Sequence, residues 1–162
     1  MKKARVIFFI LSLLILGAVF SCAFAADAAE QGPLAQDFSQ KAMDEFKTIN
    51  DTQLDYAAVS SKVDDYAQKF AGILLDAGLD AKTAAMIMQQ AAVWYGKALK
   101  DLFNGNPYNS IIQDYSAKIA DLFSQQHLKL DTQSKIVDMG SDNLESLNTL
   151  FQRVEGRGDV DY

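Results

Sequence analysis

Hydrophobic side chains return every three or four positions along most of this chain, from about residue 34 to residue 155. This spacing places them on one face of a helix, whereas a strand would repeat them at every second residue. No segment alternates apolar and polar residues over the length of a strand. The pattern therefore predicts an all-α fold. Its clearest stripe consists of Tyr56, Val59, Val63, Tyr66, Phe70, Ile73 and Ala77.

Polar and turn-forming residues divide the pattern into five predicted helices. They cover about 34–50, 52–77, 81–103, 107–127 and 131–155. Aspartate and asparagine cap helix N-termini well because their side chains accept hydrogen bonds from the first free backbone N–H groups. The predicted N-caps are Asp51 or Thr52, Asp80, Asn106 with Pro107 at the first helical position, and Asp131 after an apolar Leu130. The predicted stops are Gly78 and Asn104-Gly105, and the fourth helix ends near His127.

Two of these helices also carry signals for a break. Ser61 and Asp64 resemble a capping box that would restart the second helix, and Gly140-Ser141-Asp142 would divide the fifth. We therefore expect an antiparallel bundle of four to five helices joined by short loops. The third helix is the candidate for its centre, because small residues such as Ala91 and Gly96 allow neighbouring helices to approach closely.

The N-terminal segment has the order of a secretory signal peptide. Basic residues at positions 2, 3 and 5 precede an apolar run, Val6–Phe20, and the small-x-small sequence Ala23-Phe24-Ala25 follows. The apolar run has 15 residues, fewer than the ~20 that a membrane-spanning helix needs. We expect residues 1–25 to be removed, which would send the protein to the bacterial periplasm or the medium.

A second interpretation of the same segment centres on Cys22. Val19-Phe20-Ser21-Cys22 resembles the lipobox of bacterial lipoproteins, although Phe20 stands where a small residue is usual. The resemblance implies a signal of residues 1–21 and a lipid anchor on Cys22, holding the protein at a membrane face. In either case residues 26–33 are expected to form a flexible linker, 34–155 the helical bundle and 156–162 a flexible tail.

Composition narrows the partners of the exported chain. Three of the 15 basic residues precede the expected cleavage site, which leaves 12 against 21 acidic residues and a net charge of −9. Such a surface repels nucleic acid and anionic lipid. We therefore expect no nucleic-acid partner, and contact with a membrane only through the signal or the lipid anchor. Cleavage at Ala25 also removes the only cysteine, which excludes disulfides and cysteine-type zinc sites.

Residues that could hold a cofactor are few. His127 is the only histidine, and with a methionine such as Met88 it could ligate haem inside a bundle. Trp94 and the neighbouring Tyr95 could line a pocket for an apolar ligand. The simpler interpretations are a helix-end histidine on the surface and aromatic residues in the core. We therefore expect no bound cofactor, with Met88, Trp94 and His127 as the candidate residues if one exists.

The sequence offers little for catalysis or metal binding. Ser124 lies three residues before His127, but no Gly-x-Ser-x-Gly motif surrounds it. No glutamate occurs between Glu45 and Glu145, and no Glu-x-x-His motif exists, so the carboxylate di-metal sites of helical bundles are excluded. We expect a protein that is not an enzyme and has no metal site.

Two functions remain. The first is a non-catalytic exported protein that binds another protein in the cell envelope, through an apolar groove or patch of more than a few hundred Å². The second is a carrier of a small molecule or cofactor, with an enclosed cavity of at least ~300 Å³ between helices near Trp94 and Met88. Lipidation at Cys22 would make either one an envelope lipoprotein.

Overall fold

In a computed structural model, residues 29–47 and 54–154 are described, except for the side chains of residues 153 and 154. The signal segment 1–25, Cys22, the predicted caps Asp51 and Thr52 and the tail 156–162 lie outside the described residues. Five helices and no strand occur in the described part, so the predicted all-α class is confirmed. The helices are α1 (29–46), α2 (Tyr56–Asp76), α3 (Ala81–Phe103), α4 (Tyr108–Gln125) and α5 (Leu130–Val154).

Helices α2 to α5 pack as a ring of four, in which each helix contacts the next and α5 returns to α2. Helix α1 lies against α2 and α3. Its Phe38 contacts Phe70 while its Phe46 contacts Tyr56, so α1 and α2 are antiparallel. None of the described helices has a stretch long and apolar enough to cross a bilayer.

Helix α3 packs against each of the other described helices, but α5 does so too, so the prediction of α3 as the central helix is confirmed only in part. It contacts α2, α4 and α5, and its Tyr95 and Phe103 meet Phe38 and Phe46 of α1. Gly96 is the point of closest approach, since a Cβ atom there would lie 2.6 Å from the backbone oxygen of Ala42. Only glycine permits the two backbones to lie this close.

The helix starts agree with the predicted caps at one place. The Asp80 carboxylate accepts hydrogen bonds from the backbone N–H and the hydroxyl of Thr83, which confirms the N-cap of α3. Helix α2 starts later than predicted, at Tyr56, because Asp55 accepts the backbone N–H of Ala58.

Two other starts are displaced, α4 by one residue and α5 by two. Pro107 is the N-cap of α4 rather than its first helical residue, so the prediction of an Asn106 cap is wrong. The Asn106 amide instead bonds to Asp101, at the end of α3. Helix α5 begins at Leu130, which places Asp131 in the first turn rather than at the cap. A carboxylate there still opposes the positive end of the helix dipole.

Three helices end in the same hydrogen-bonded motif. After α2, the N–H of Gly78 bonds to Leu75 and that of Leu79 bonds to Leu74. This pair of bonds is a Schellman motif, which needs a left-handed backbone at its central residue. The same pair closes α3 at Gly105 and α4 at His127. The values of φ are 85° at Gly78, 77° at Gly105 and 54° at His127, the only non-glycine residue with positive φ in the described part.

Three helices are longer or more regular than the sequence predicts. Residues 29–33, expected in a linker, form the first turns of α1, so Gly32 and Pro33 do not separate a linker from the bundle. Pro33 is the fifth residue of the described helix, in its second turn, where its missing N–H leaves the backbone oxygen of Ala29 without the usual helical bond. The breaks considered at Ser61 and at Gly140 do not occur, since α2 and α5 are continuous through them.

Because His127 closes α4 with a left-handed backbone, we expect a replacement of this residue to change stability through its backbone conformation. Replacement His127→Gly should raise the free energy of unfolding by up to about 1 kcal/mol, because a left-handed residue with a Cβ atom is strained. His127→Val should lower it by about 1 kcal/mol or more, because β-branched residues tolerate this conformation least. Urea denaturation of the variants measures both changes.

The control is Gln113→Gly, at an exposed right-handed position inside α4. There glycine should cost about 1 kcal/mol, so one replacement has opposite signs at the two sites. Equal stability of the His127→Gly and His127→Val proteins would show that the motif does not constrain this residue.

Candidate functional site

Three tyrosines meet at the centre of the bundle. Tyr66 comes from α2, Tyr95 from α3 and Tyr115 from α4, and each is at most 1% exposed. The rings of Tyr66 and Tyr95 stack at a centroid distance of 4.8 Å. The rings of Tyr95 and Tyr115 make an edge-to-face contact at a centroid distance of 5.6 Å. We call these three residues the tyrosine cluster. Such aromatic pairs stabilise a core beyond the area they bury.

Helix α5 makes room for the cluster with a glycine. A Cβ atom at Gly140 would lie 2.9 Å from Cε1 of Tyr115 and 3.0 Å from the hydroxyl oxygen of Tyr66. Both distances are shorter than an ordinary van der Waals contact, so Gly140 is required by space. This contact explains why Gly140 lies inside a continuous helix that the sequence predicted it would break.

Each hydroxyl of the cluster has a hydrogen-bond partner. The oxygens of Tyr66 and Tyr115 lie 2.6 Å apart. The Tyr95 hydroxyl donates to the side-chain oxygen of Asn143 on α5. Asn143 in turn donates to the backbone oxygen of Lys62 at 2.9 Å, and the Lys62 ammonium donates to Ser146 at 2.7 Å. These bonds form two separate sets: the Tyr66–Tyr115 pair joins α2 to α4, and the set that includes Asn143 joins α3 to α5 and α5 to α2. Both sets meet the rule that buried polar groups need partners.

Burial keeps the cluster neutral. Loss of hydration disfavours the phenolate form and raises the pKa of Tyr66, Tyr95 and Tyr115 above the usual value for tyrosine. Tyr108, at the start of α4, also has a raised pKa because of partial desolvation. The cluster can therefore donate and accept hydrogen bonds, but none of its hydroxyls can serve as a base near neutral pH.

A surface groove between α3 and α4 leads down to the cluster. It has a volume of about 290 Å³, with half-buried Trp94 on one side and buried Tyr115 among its walls. We call it the Trp94 groove. Two positive and two negative side chains line the groove. Lys97 and Asp101 lie on α3, and Asp114 and Lys118 form an ion pair on α4. The remaining lining residues are Ala98, Asn106, Pro107, Ser110 and Ile111.

The structure separates the three residues predicted as a cofactor site. Only Trp94 lines the groove. Met88 is 1% exposed and belongs to the core. His127 is exposed at the end of α4 and lines another cleft, of about 430 Å³, with Ile73 and Leu128. The described residues therefore do not form an enclosed cavity shared by Met88 and Trp94, because the side chain of Met88 is packed in the core.

The groups considered for catalysis are also apart. Ser124 donates its hydroxyl to the backbone oxygen of Ala120, four residues earlier, which is an ordinary bond within a helix. Among the described residues no group of three or more histidine, cysteine, aspartate or glutamate side chains could hold a metal ion.

The important residues of this centre were not identified from the sequence. Tyr66 and Tyr115 stood in the hydrophobic stripes and were counted as core, which their rings are. Tyr95 was considered as a pocket wall beside Trp94, but it is fully buried in the cluster and does not line the Trp94 groove. The phenol groups gave a hint, because a buried tyrosine needs a partner for its hydroxyl. The identity of that partner depends on which helices pack together, and periodicity does not contain this information.

Comparison with known proteins adds no further constraint. The sequence matches no protein-family model, and neither curated proteins nor solved structures include one similar to it.

Because the tyrosine cluster is buried, we expect the stability of the protein to fall at alkaline pH. Its raised pKa values mean that the folded protein keeps three protons that the unfolded chain releases above pH ~10. The stabilisation is complete below that pH and is lost as the pH rises. Well above pH 10 the loss approaches about 4 kcal/mol per pH unit for three groups. Phenolate absorbance and circular dichroism, recorded together, should show three of the six tyrosines ionising only as the helices melt.

In Tyr66→Phe, two tyrosines rather than three should ionise with unfolding. Full ionisation of all tyrosines while the circular dichroism spectrum stays native would contradict the burial of the cluster.

Proposed function

We propose that this chain is an exported, non-catalytic binding protein of the bacterial cell envelope, and that it takes up a small amphipathic molecule in the Trp94 groove. The observation that supports the binding function is the groove itself, which combines an indole wall, a buried floor at Tyr115 and equal numbers of positive and negative side chains. The proposal of export depends on the order of basic, apolar and small residues in the segment 1–25. Its volume of about 290 Å³ is at the lower end of the ~300–1,000 Å³ typical of small-molecule sites.

The charges of the groove favour one kind of ligand. Each wall carries one ammonium and one carboxylate group, from Lys97 and Asp101 on α3 and from Lys118 and Asp114 on α4. A zwitterion can pair with both signs at once, whereas an ion of one sign meets as much repulsion as attraction. An aromatic ring stacked on the indole of Trp94 would supply the apolar contact. A free aromatic amino acid has this combination of groups.

A protein partner is the alternative, and the surface supports it less. That function expects a broad apolar patch. Among the described residues only Met86 and Leu130 are exposed large hydrophobic side chains, on different helices, at 47% and 79%. A small ligand needs no such patch, since one aromatic wall and a few polar groups suffice.

The absence of catalysis is part of the proposal. Its support is that His127 lies in a separate cleft and that burial keeps the phenols of the cluster protonated. A general acid or base needs a pKa near the operating pH and must reach the substrate.

Trp94 is the only tryptophan of the chain, so its fluorescence reports directly on the groove. Titration with phenylalanine should give a saturable change in its emission at millimolar concentrations. Phenethylamine and phenylacetate have the same aromatic ring but a single charge, and each should bind about tenfold more weakly. If none of the three compounds alters the emission, the groove is not a site for aromatic zwitterions.

Two variants distinguish occupation of the groove from a general effect of charge. Ser110→Arg places a long side chain in the groove and should weaken phenylalanine binding about tenfold or more. Ser61→Arg adds the same charge at an exposed position of α2 that does not line the groove, and should leave binding unchanged. An equal loss in both variants would contradict binding at Trp94.

Export has its own test, since it depends on residues outside the described part. The intact mass of the mature protein should correspond to a chain that begins at Ala26 and occurs in the periplasmic fraction. The lipoprotein alternative instead predicts a membrane-bound chain that begins at Cys22 and carries additional acyl mass. A full-length chain in the cytoplasm would overturn both.

A further inference from the structure

Asn104 and Gly105 follow the last residue of α3 and are exposed to solvent. An asparagine that precedes a glycine is the one whose side-chain amide the backbone attacks most readily, because glycine has no side chain to shield its nitrogen. Of the six asparagines of the chain, only Asn104 precedes a glycine. The end of α3 therefore carries the asparagine that is chemically most labile.

The reaction open to this pair is the closure of a succinimide ring. The Gly105 nitrogen gives its proton to a base in solution and forms a bond to Cγ of Asn104. The bond between Cγ and Nδ2 breaks, and the amide group takes up a proton and leaves as ammonia. Water then opens the ring at either carbonyl, which gives aspartate or isoaspartate. Water and a base are the only other reactants, and no group is oxidised or reduced.

The conformation at the end of α3 opposes this ring closure. The Gly105 N–H donates to the backbone oxygen of Leu102 at 3.0 Å, so the attacking nitrogen holds its proton in a bond within the protein. Ring closure also needs the Gly105 nitrogen to eclipse Cβ of Asn104 about the Cα–C bond. At the ψ of 0° found at Asn104, it eclipses the backbone nitrogen of Asn104 instead. The ring can therefore close only after the bond to Leu102 breaks and the backbone rotates.

Gly105 has two opposite effects on Asn104. Its φ of 77° is the left-handed conformation that the Schellman motif needs and that glycine adopts without strain. A residue with a side chain would shield the nitrogen but would strain the turn. The same glycine thus makes Asn104 labile and permits the motif that protects it.

We propose that Asn104 is a latent deamidation site, which the folded end of α3 keeps unmodified and which reacts when that end opens. Asn106 holds the end closed through two bonds to Asp101. Its backbone N–H donates to the Asp101 backbone oxygen at 3.0 Å, and its side-chain amide donates to the Asp101 carboxylate at 3.1 Å. Helix ends open locally at a much smaller cost than the whole fold, so the site reacts in a protein that is otherwise folded.

The modification changes the end of α3 irreversibly. Either product places a carboxylate at the C-terminus of the helix, where the dipole is already negative. Isoaspartate also adds a methylene group to the backbone before Gly105, which disrupts the geometry of the motif. Asp101 and Asn106 line the Trp94 groove, so the change reaches the wall of that groove. The site itself does not depend on the function proposed for the groove.

Incubation of the full-length or mature protein at mildly alkaline pH, folded and in guanidinium chloride, tests the protection. Deamidation adds one mass unit, and the tryptic peptide 101–118 contains Asn104, Asn106 and Asn109 together. In denaturant Asn104 should react about tenfold faster than Asn109, which precedes a serine. Asn106 should not react, because Pro107 has no N–H to attack with.

In the folded protein, deamidation of Asn104 should be at least about tenfold slower than in denaturant. Equal rates in the two states would show that the end of α3 gives no protection and would overturn the proposal. Asn104→Gln should abolish the fast change of mass in denaturant, because glutamine would have to close a larger ring. A fast change that persists in this variant would place the reaction elsewhere.

Asn106→Ala and Gln125→Ala are a matched pair of variants. Each removes a side-chain amide that bonds to an aspartate at the end of a helix, Asp101 in α3 and Asp121 in α4. Asn106→Ala should raise the rate at Asn104 in the folded protein about threefold or more, because one hydrogen bond that closes the turn is lost. Its rate in denaturant should stay the same.

Gln125→Ala should leave the rate at Asn104 unchanged in both states. An unchanged rate in folded Asn106→Ala would mean that this end of α3 does not control the reaction. An equal rise in both variants would assign the reaction to unfolding of the whole protein. Either result would overturn the proposal.

Discussion

The burial of three phenol hydroxyls in one core layer is the constraint on which this structure depends. Large aromatic rings supply much of the hydrophobic driving force, but each tyrosine also brings a polar group that must find a partner away from water. Tyr66 and Tyr115 satisfy each other, and Tyr95 uses Asn143. Any relative shift of α2, α3, α4 or α5 by even one residue would separate these groups. The hydrogen bonds therefore fix the relative positions of helices that hydrophobic packing alone would hold less specifically.

Two glycines allow the aromatic core to close around this layer. Gly140 lets α5 approach Tyr66 and Tyr115, and Gly96 lets α1 approach α3 at Ala42. In an isolated helix both residues would reduce stability, since glycine has more backbone freedom to lose than alanine. In the bundle, a Cβ atom at either position would overlap the neighbouring side chain or backbone, and glycine has none. The cost within one helix is thus offset by contacts between helices.

The rigid centre also shapes the surface. Tyr115 belongs both to the cluster and to the lining of the Trp94 groove, so the floor of that groove is held by hydrogen bonding beneath it. A preformed floor reduces the ordering that a ligand would otherwise impose on binding.

The sequence by itself determined the helices and several of their ends. The apolar stripes, the Asp80 cap and the stops at Gly78 and Gly105 could be predicted because these signals act over a few neighbouring residues. Only the tertiary structure decided that α5 continues through Gly140, that His127 closes α4, that Met88 and Trp94 lie in different surroundings and that Ser39 is left without a partner. Tyr66 and Tyr115 are 49 positions apart along the chain. The periodicity of the sequence indicates which face of each helix is buried. Which other helix that face meets depends on the packing of all five described helices together.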